Sequence, residues 1–244
     1  MKIIAIINQK GGVGKSTTAH ALGASLILKG YRVLYVDLDP QGNLSYTLRV
    51  DTNRYNALGV LERPETAKEE IQRTAEGDVI ASSPALVGAD RTITAVGKEY
   101  RLKEALVPLR DLYDYCIIDT PPALCILTVN ALTACTGAVI PAQADVFSLQ
   151  GIGQLYGTIE TVKKYCNPDL TIMGILLTRY NPRTIISREV AEMLEETAET
   201  FNTKLYKTTI REATAIKEAQ ALRHNIFSYA PRSNVTADYS DFVE

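Results

Sequence analysis

The 244-residue sequence has no tryptophan, four phenylalanines, two histidines and four cysteines. The histidines, His20 and His224, and the cysteines, Cys116, Cys125, Cys135 and Cys166, make no C-x-x-C pair and no spacing suited to a structural zinc ion. The thiols are therefore expected to be reduced, most of them in the core of a cytoplasmic protein. No apolar run nears the ~18 residues of a membrane span. The apolar start, Ile3–Ile7, runs straight into polar residues and glycines, and no secretory signal is visible. A formal net charge of −2 excludes a global basic field, so contact with nucleic acid would need a local patch. There is no internal repeat, low-complexity segment or Pro/Gly linker, and a single domain over residues 1–244 is expected.

Short apolar runs alternate with amphipathic stretches. Residues 2–7, 31–37, 78–82, 115–120, 137–142 and 170–178 have the pattern of buried strands, with a possible edge strand at 204–208. Helical patterns cover 16–29, 56–61, 67–73, 98–112, 128–134, 149–165, 186–200 and 212–222. Strands apolar on both faces and separated by helices predict an α/β fold of three αβα layers around a mostly parallel twisted sheet. In open sheets of this kind ligands bind at the carboxyl ends of strands.

After the first predicted strand comes Gln9-Lys-Gly-Gly-Val-Gly-Lys-Ser-Thr17, and then a helix. Strand, glycine loop and helix are the context of a phosphate-binding loop. Gly11, Gly12, Val13 and Gly14 let backbone N–H groups turn around phosphate oxygens, and the helix start at Lys15, Ser16 and Thr17 adds its positive dipole end. Lys15 suits the β- and γ-phosphates, and Ser16 suits Mg²⁺. Gln9 stands where a strict P-loop has its first glycine. The second lysine, Lys10, has two readings: a solvated surface charge, or a cation reaching a nucleotide on a second copy, in the manner of an arginine finger.

Acids follow the next strands. Asp37 and Asp39 lie in DLDPQGN, and Asp119 ends the strand of YCIIDTPP. Alternate carboxylates at a strand end face different ways, so one can serve a Mg²⁺ water and the other the attacking water.

Lys10-Gly-Gly-Val-Gly-Lys-Ser16 resembles the deviant Walker A motif of the ParA/MinD superfamily of dimerising ATPases, DLDPQGN its Walker A′ motif, and IIDTPP its Walker B and switch. The resemblance implies a P-loop NTPase fold using ATP and Mg²⁺, a homodimer closed by ATP, Lys10 acting in trans and Lys15 in cis. It implies that Asp39 positions the hydrolytic water and that Asp37 and Asp119 support the metal. Asp145, after the 137–142 strand, matches a residue at the partner's ribose or the dimer interface; a helix N-terminal acid is an equal reading. Thr178 and Arg179 are candidates for the adenine.

The resemblance weakens at the C-terminal end, where Thr208–Ala221 lacks the proline and asparagine of the relatives' base-contact turn and has Glu212 in place of an arginine. For nonspecific DNA the candidates are Arg183, Arg211 and Lys217, with Arg188, Lys207 and Arg223 in the same region; each alone reads equally as a solvated charge. No helix-turn-helix is expected before the first strand. The leading expectation is a partition ATPase of plasmid or chromosome, nucleoid-associated and stimulated by a ParB-like partner. A MinD-like membrane role is disfavoured by the acidic end NVTADYSDFVE. A protein-cargo positioning ATPase, an iron–sulfur reductase or a ligase of the same superfamily are the other readings.

Overall fold

Side chains of successive residues in a strand point to opposite faces, and here that alternation divides each central strand between two cores. On the first strand Ile3 and Ala5, with Ile7 just past its end, join one apolar cluster, while Ile4 and Ile6 join the other. The computed structural model describes residues 1–244. The elements in chain order are β1 (Lys2–Ile6), α1 (Lys15–Leu28), β2 (Val33–Asp37), α2 (Asn43–Thr47), α3 (Ala57–Glu62), β3 (Ile71–Thr74), β4 (Gly77–Ile80), α4 (Ala89–Thr92), α5 (Arg101–Leu106), β5 (Tyr115–Asp119), α6 (Ile126–Ala134), β6 (Gly137–Ala142), α7 (Val146–Tyr165), β7 (Thr171–Tyr180), α8 (Ile185–Thr200), β8 (Ile210–Arg211), α9 (Thr214–Ala221), α10 (Ile226–Tyr229) and α11 (Asn234–Val243).

The eight strands form one sheet in the order β3-β4-β2-β5-β1-β6-β7-β8. Every pairing is parallel except the β3–β4 hairpin. One face is covered by helices that include α3, α5, α6, α7 and α8, the other by α1, α2, α9, α10 and α11. This is the expected α/β architecture. β1 lies between β5 and β6, so the carboxyl ends of β1, β2 and β5 are brought side by side. In the ladder Asp37 is directly opposite Asp119, and Ile6 is opposite Asp119 from the other side.

Three local expectations differ from the structure, and one helix has no counterpart among them. Residues 67–73 were expected to be helical, but Ile71–Thr74 is a strand, turned back onto β4 at Gly77, whose φ of 107° is open to glycine. The helix expected over 98–112 is broken into 3₁₀ turns around α5, the second containing Pro108, which cannot donate to the helix ladder. Residues 204–208 contribute a single bridge, Leu205 to Ile175, and the sheet edge is taken by β8 instead. The C-terminal segment forms α11, whose Val235 and Tyr239 are buried in the core it shares with α1. No helix is long and apolar enough to cross a membrane.

Candidate nucleotide site

The glycine loop leaves β1 and enters α1 through two left-handed residues, Gly12 (φ 76°) and Gly14 (φ 83°), a conformation that a Cβ disfavours. Three contacts hold the loop in place. The Asn8 side chain donates to the Pro141 carbonyl at 2.7 Å, Gln143 donates to the Gly12 carbonyl at 3.0 Å, and the buried Thr178 hydroxyl donates to the Val13 carbonyl at 2.8 Å. Lys15 is buried at the start of α1, and its ammonium donates to the Lys10 carbonyl at 3.2 Å. Burial pulls its pKa below the ordinary lysine value, opposed by the nearby Asp119 and Asp39 carboxylates.

Lys10 turns away from this cradle. Its ammonium is ion-paired with the Asp145 carboxylate, both side chains about two-thirds buried. Asp145 is also the N-cap of α7, accepting from the Ser148 N–H at 3.1 Å. Asp145 thus acts as the helix N-terminal acid, and it also holds the lysine on which the trans role was expected.

Asp37, Asp39 and Asp119 stand at the adjoining strand ends and are all buried. Asp37 accepts from the Ser45 N–H (2.8 Å) and hydroxyl (2.7 Å), which ties β2 to α2. Burial pushes its pKa up to about 6, against the lowering effect of those hydrogen bonds. Asp39 accepts from the Gln41 N–H at 3.0 Å. Asp119 differs: it is fully buried and neither carboxylate oxygen has a hydrogen-bond partner. Burial, then the Asp37 charge beside it, raises its pKa well above the usual carboxylate range, although the Ser16 hydroxyl nearby favours the charged form. Leaving a buried carboxylate unpaired is costly, and such a group calls for a cation. No three His, Cys, Asp or Glu side chains form a metal-binding group by themselves. That donor set fits Mg²⁺, which keeps waters and takes substrate phosphate oxygens as ligands.

A cavity of about 580 Å³ opens over the loop. Gly11, Gly12, Gly14, Lys15, Ser16 and Thr17 line its floor, Asp39 and Tyr46 one wall, and Ile216, Lys217 and Gln220 of α9 the other. That volume is within the range of small-molecule sites, about 300–1,000 Å³. Gln220, absent from the sequence-based candidates, donates to the Thr17 hydroxyl at 2.8 Å and joins α9 to α1. Its only sequence signal was its place four residues after Ile216 on a predicted helix.

The remaining candidates divide. Thr178 lines the cavity, but its hydroxyl is engaged by the Val13 and Ala142 carbonyls. Arg179 lies at the rim, paired with Glu212 at 2.6 Å, and Lys217 approaches the same carboxylate at 3.5 Å. Arg211 is held by Asp238 of α11 through two hydrogen bonds of 2.7 Å, so it anchors that helix while its side chain stays half exposed. Arg183 is exposed on the loop after β7 and its side chain makes no ion pair.

A mostly parallel sheet, a glycine loop opening a helix at its centre and acids at the neighbouring strand ends define a P-loop nucleoside-triphosphatase. Residues 1–172 match the family AAA_31, described as an AAA domain. The sporulation initiation inhibitor protein Soj of Bacillus subtilis (strain 168) is 41% identical over 248 residues, covering 100% of this chain and 97% of Soj. The chromosome partitioning protein ParA of Myxococcus xanthus is 37% identical, covering 98% of this chain and 85% of that protein. The chain belongs to the ParA/Soj family. Among solved structures, cobyrinic acid a,c-diamide synthase from Mycobacterium smegmatis with bound ADP and magnesium is similar at a TM-score of 0.83 and 34% identity, covering 100% of this chain and 92% of that one.

Proposed function

We propose that the protein is an ATPase of DNA partition, whose ATP-bound form is a face-to-face homodimer on nonspecific DNA and whose hydrolysis is stimulated by a ParB-like partner. The observation that carries the reading is the buried, unpartnered Asp119 carboxylate beside Asp37 and below a glycine loop with a buried lysine. Ser16, Asp37 and Asp119 would hold Mg²⁺, which would supply charge neutralisation at the nucleotide phosphates. The backbone N–H groups of Gly11–Thr17 and the α1 dipole grip the phosphates, and the Lys15 ammonium stabilises charge at the transferred phosphoryl. Asp39 orients the attacking water and accepts its proton.

Lys10 completes the site of the second copy once it leaves Asp145. The cytoplasmic, nucleoid-bound location follows from DNA as the matrix. ATP turnover tests the reading. Lys10→Ala and Asp39→Ala are each expected to lower it by about 10²-fold or more, and unchanged turnover in both would refute the mechanism.

A second reading, an ATP-dependent amide-forming ligase, is favoured by one observation, the 34% identity to the diamide synthase structure. It predicts ATP use that depends on a carboxylic acid substrate and is indifferent to DNA. The higher identity to Soj, over nearly all of both chains, supports the partition reading.

A further inference from the structure

Two helices that line the cavity, α2 and α9, end in the same unusual way. α2 closes with the Arg49 N–H on the Tyr46 carbonyl (3.2 Å) and the Val50 N–H on the Ser45 carbonyl (3.3 Å). α9 closes with the Arg223 N–H on the Gln220 carbonyl (3.1 Å) and the His224 N–H on the Ala219 carbonyl (2.9 Å). Both are Schellman ends, whose left-handed residue is ordinarily glycine. Here both positions are arginine, Arg49 at φ 61° and Arg223 at φ 57°. The left-handed region is unfavourable for a residue with a Cβ, so the side chains must earn their place through contacts.

Those contacts are reciprocal. The Arg49 guanidinium donates from Nη2 to the carbonyl of Leu222, the cap of α9, at 3.0 Å. The Arg223 guanidinium stacks on the ring of Tyr46 in α2, 3.9 Å from its centroid. α2 also begins on Asp37 through Ser45, and α9 reaches the glycine loop through Gln220 and Thr17. We infer that Arg49 and Arg223 form a clasp that locks α2, which is tied to Asp37, to α9, which is tied to the glycine loop, so that both act as positioning residues for ATP. The inference rests on the ATPase reading for its ligand, and on contacts alone for the clasp.

Glycine is the discriminating substitution, because it relaxes the backbone at each helix end while deleting the clasp, and so preserves the fold. Amide hydrogen exchange on the nucleotide-free protein is the first measurement. Arg49→Gly should speed exchange at the end of α9, and Arg223→Gly at the end of α2, each about three- to tenfold across the clasp. Titration with a fluorescent ATP analogue is the second. Each variant should weaken binding by about three- to tenfold, the double variant little more than either, and Arg49→Lys should recover part of the loss. Exchange changes confined to the mutated helix, or unaltered ATP affinity in both variants, would overturn the clasp. A wild-type protein that binds no ATP while exchange still responds across the clasp would overturn the ATPase reading and leave the structural coupling standing.

Discussion

The Lys10 ammonium is bound to the Asp145 carboxylate, the group that also caps α7, 135 residues further along the chain. In the proposed dimer this lysine serves the opposite nucleotide, so closure must first break the pair. An ion pair about one-third exposed, as this one is, contributes ~0.2–1 kcal/mol. Asp145→Asn keeps the helix cap, since asparagine caps as well as aspartate, and removes the charge. It is expected to leave the melting temperature nearly unchanged and to lower the ATP concentration for half-maximal dimer by about two- to fivefold, read by light scattering. An unchanged midpoint would show that the pair does not oppose closure.

Asp119 sets a pH dependence. The Asp37 carboxyl is pushed from 3.8 to about 6, and burial raises Asp119 well above 3.8, so over this interval the folded state binds more protons than the unfolded chain. Stability of the nucleotide-free protein therefore falls as pH rises from about 4 through 6 and beyond. Asp119→Asn removes a buried unpaired charge and should stabilise the protein at pH 7.5 by ~2 kcal/mol while flattening the profile. Mg²⁺-dependent turnover should be lost at the same time. Thermal melts across pH decide it: a wild-type protein more stable at pH 7.5 than at pH 5 contradicts the account.

Gly23 gives a prediction of sign. In an ordinary helix interior Gly→Ala stabilises by ~1 kcal/mol. Here a Cβ would come within 2.3 Å of ring atoms of Tyr35, which is completely buried with its hydroxyl on the His20 carbonyl. Overpacking of this kind costs ~1–3 kcal/mol. Gly23→Ala should therefore destabilise, and Tyr35→Leu in the same chain should recover part of the loss. Denaturant unfolding of the two variants and the double variant measures both effects.

DNA affinity should separate the basic residues. Arg183→Ala is expected to weaken binding equally across sequences and to reduce the salt slope by about one. Arg211→Ala should instead lower stability by freeing α11 from its Asp238 anchor. Equal salt slopes for Arg183→Ala and wild type would remove Arg183 from the DNA surface.

The central sheet and the glycine loop were legible in the sequence because their signals are local: apolar runs of strand length, then glycines, then a helix. The positions of Asp37, Asp39 and Asp119 followed from the rule that parallel strands present their carboxyl ends to ligands. What was not legible is set by long-range packing. Lys10 finds Asp145, Gln220 finds Thr17 and Arg211 finds Asp238 only once the chain is folded. Thr178, expected at the base, is occupied in fixing the loop, and the helical pattern at 67–73 gave way to a hairpin whose turn depends on Gly77. The acidic tail hid α11 because its burial rests on Val235 and Tyr239 four residues apart, among polar neighbours.

Closure of two copies over ATP can be measured by light scattering of the protein with Mg²⁺ and a nonhydrolysable ATP analogue. The account predicts a mass of twice 26.8 kDa with the analogue and a single chain with ADP. A single-chain mass at saturating analogue, in protein shown by titration to have bound it, would contradict the assignment of Lys10 to a partner's nucleotide.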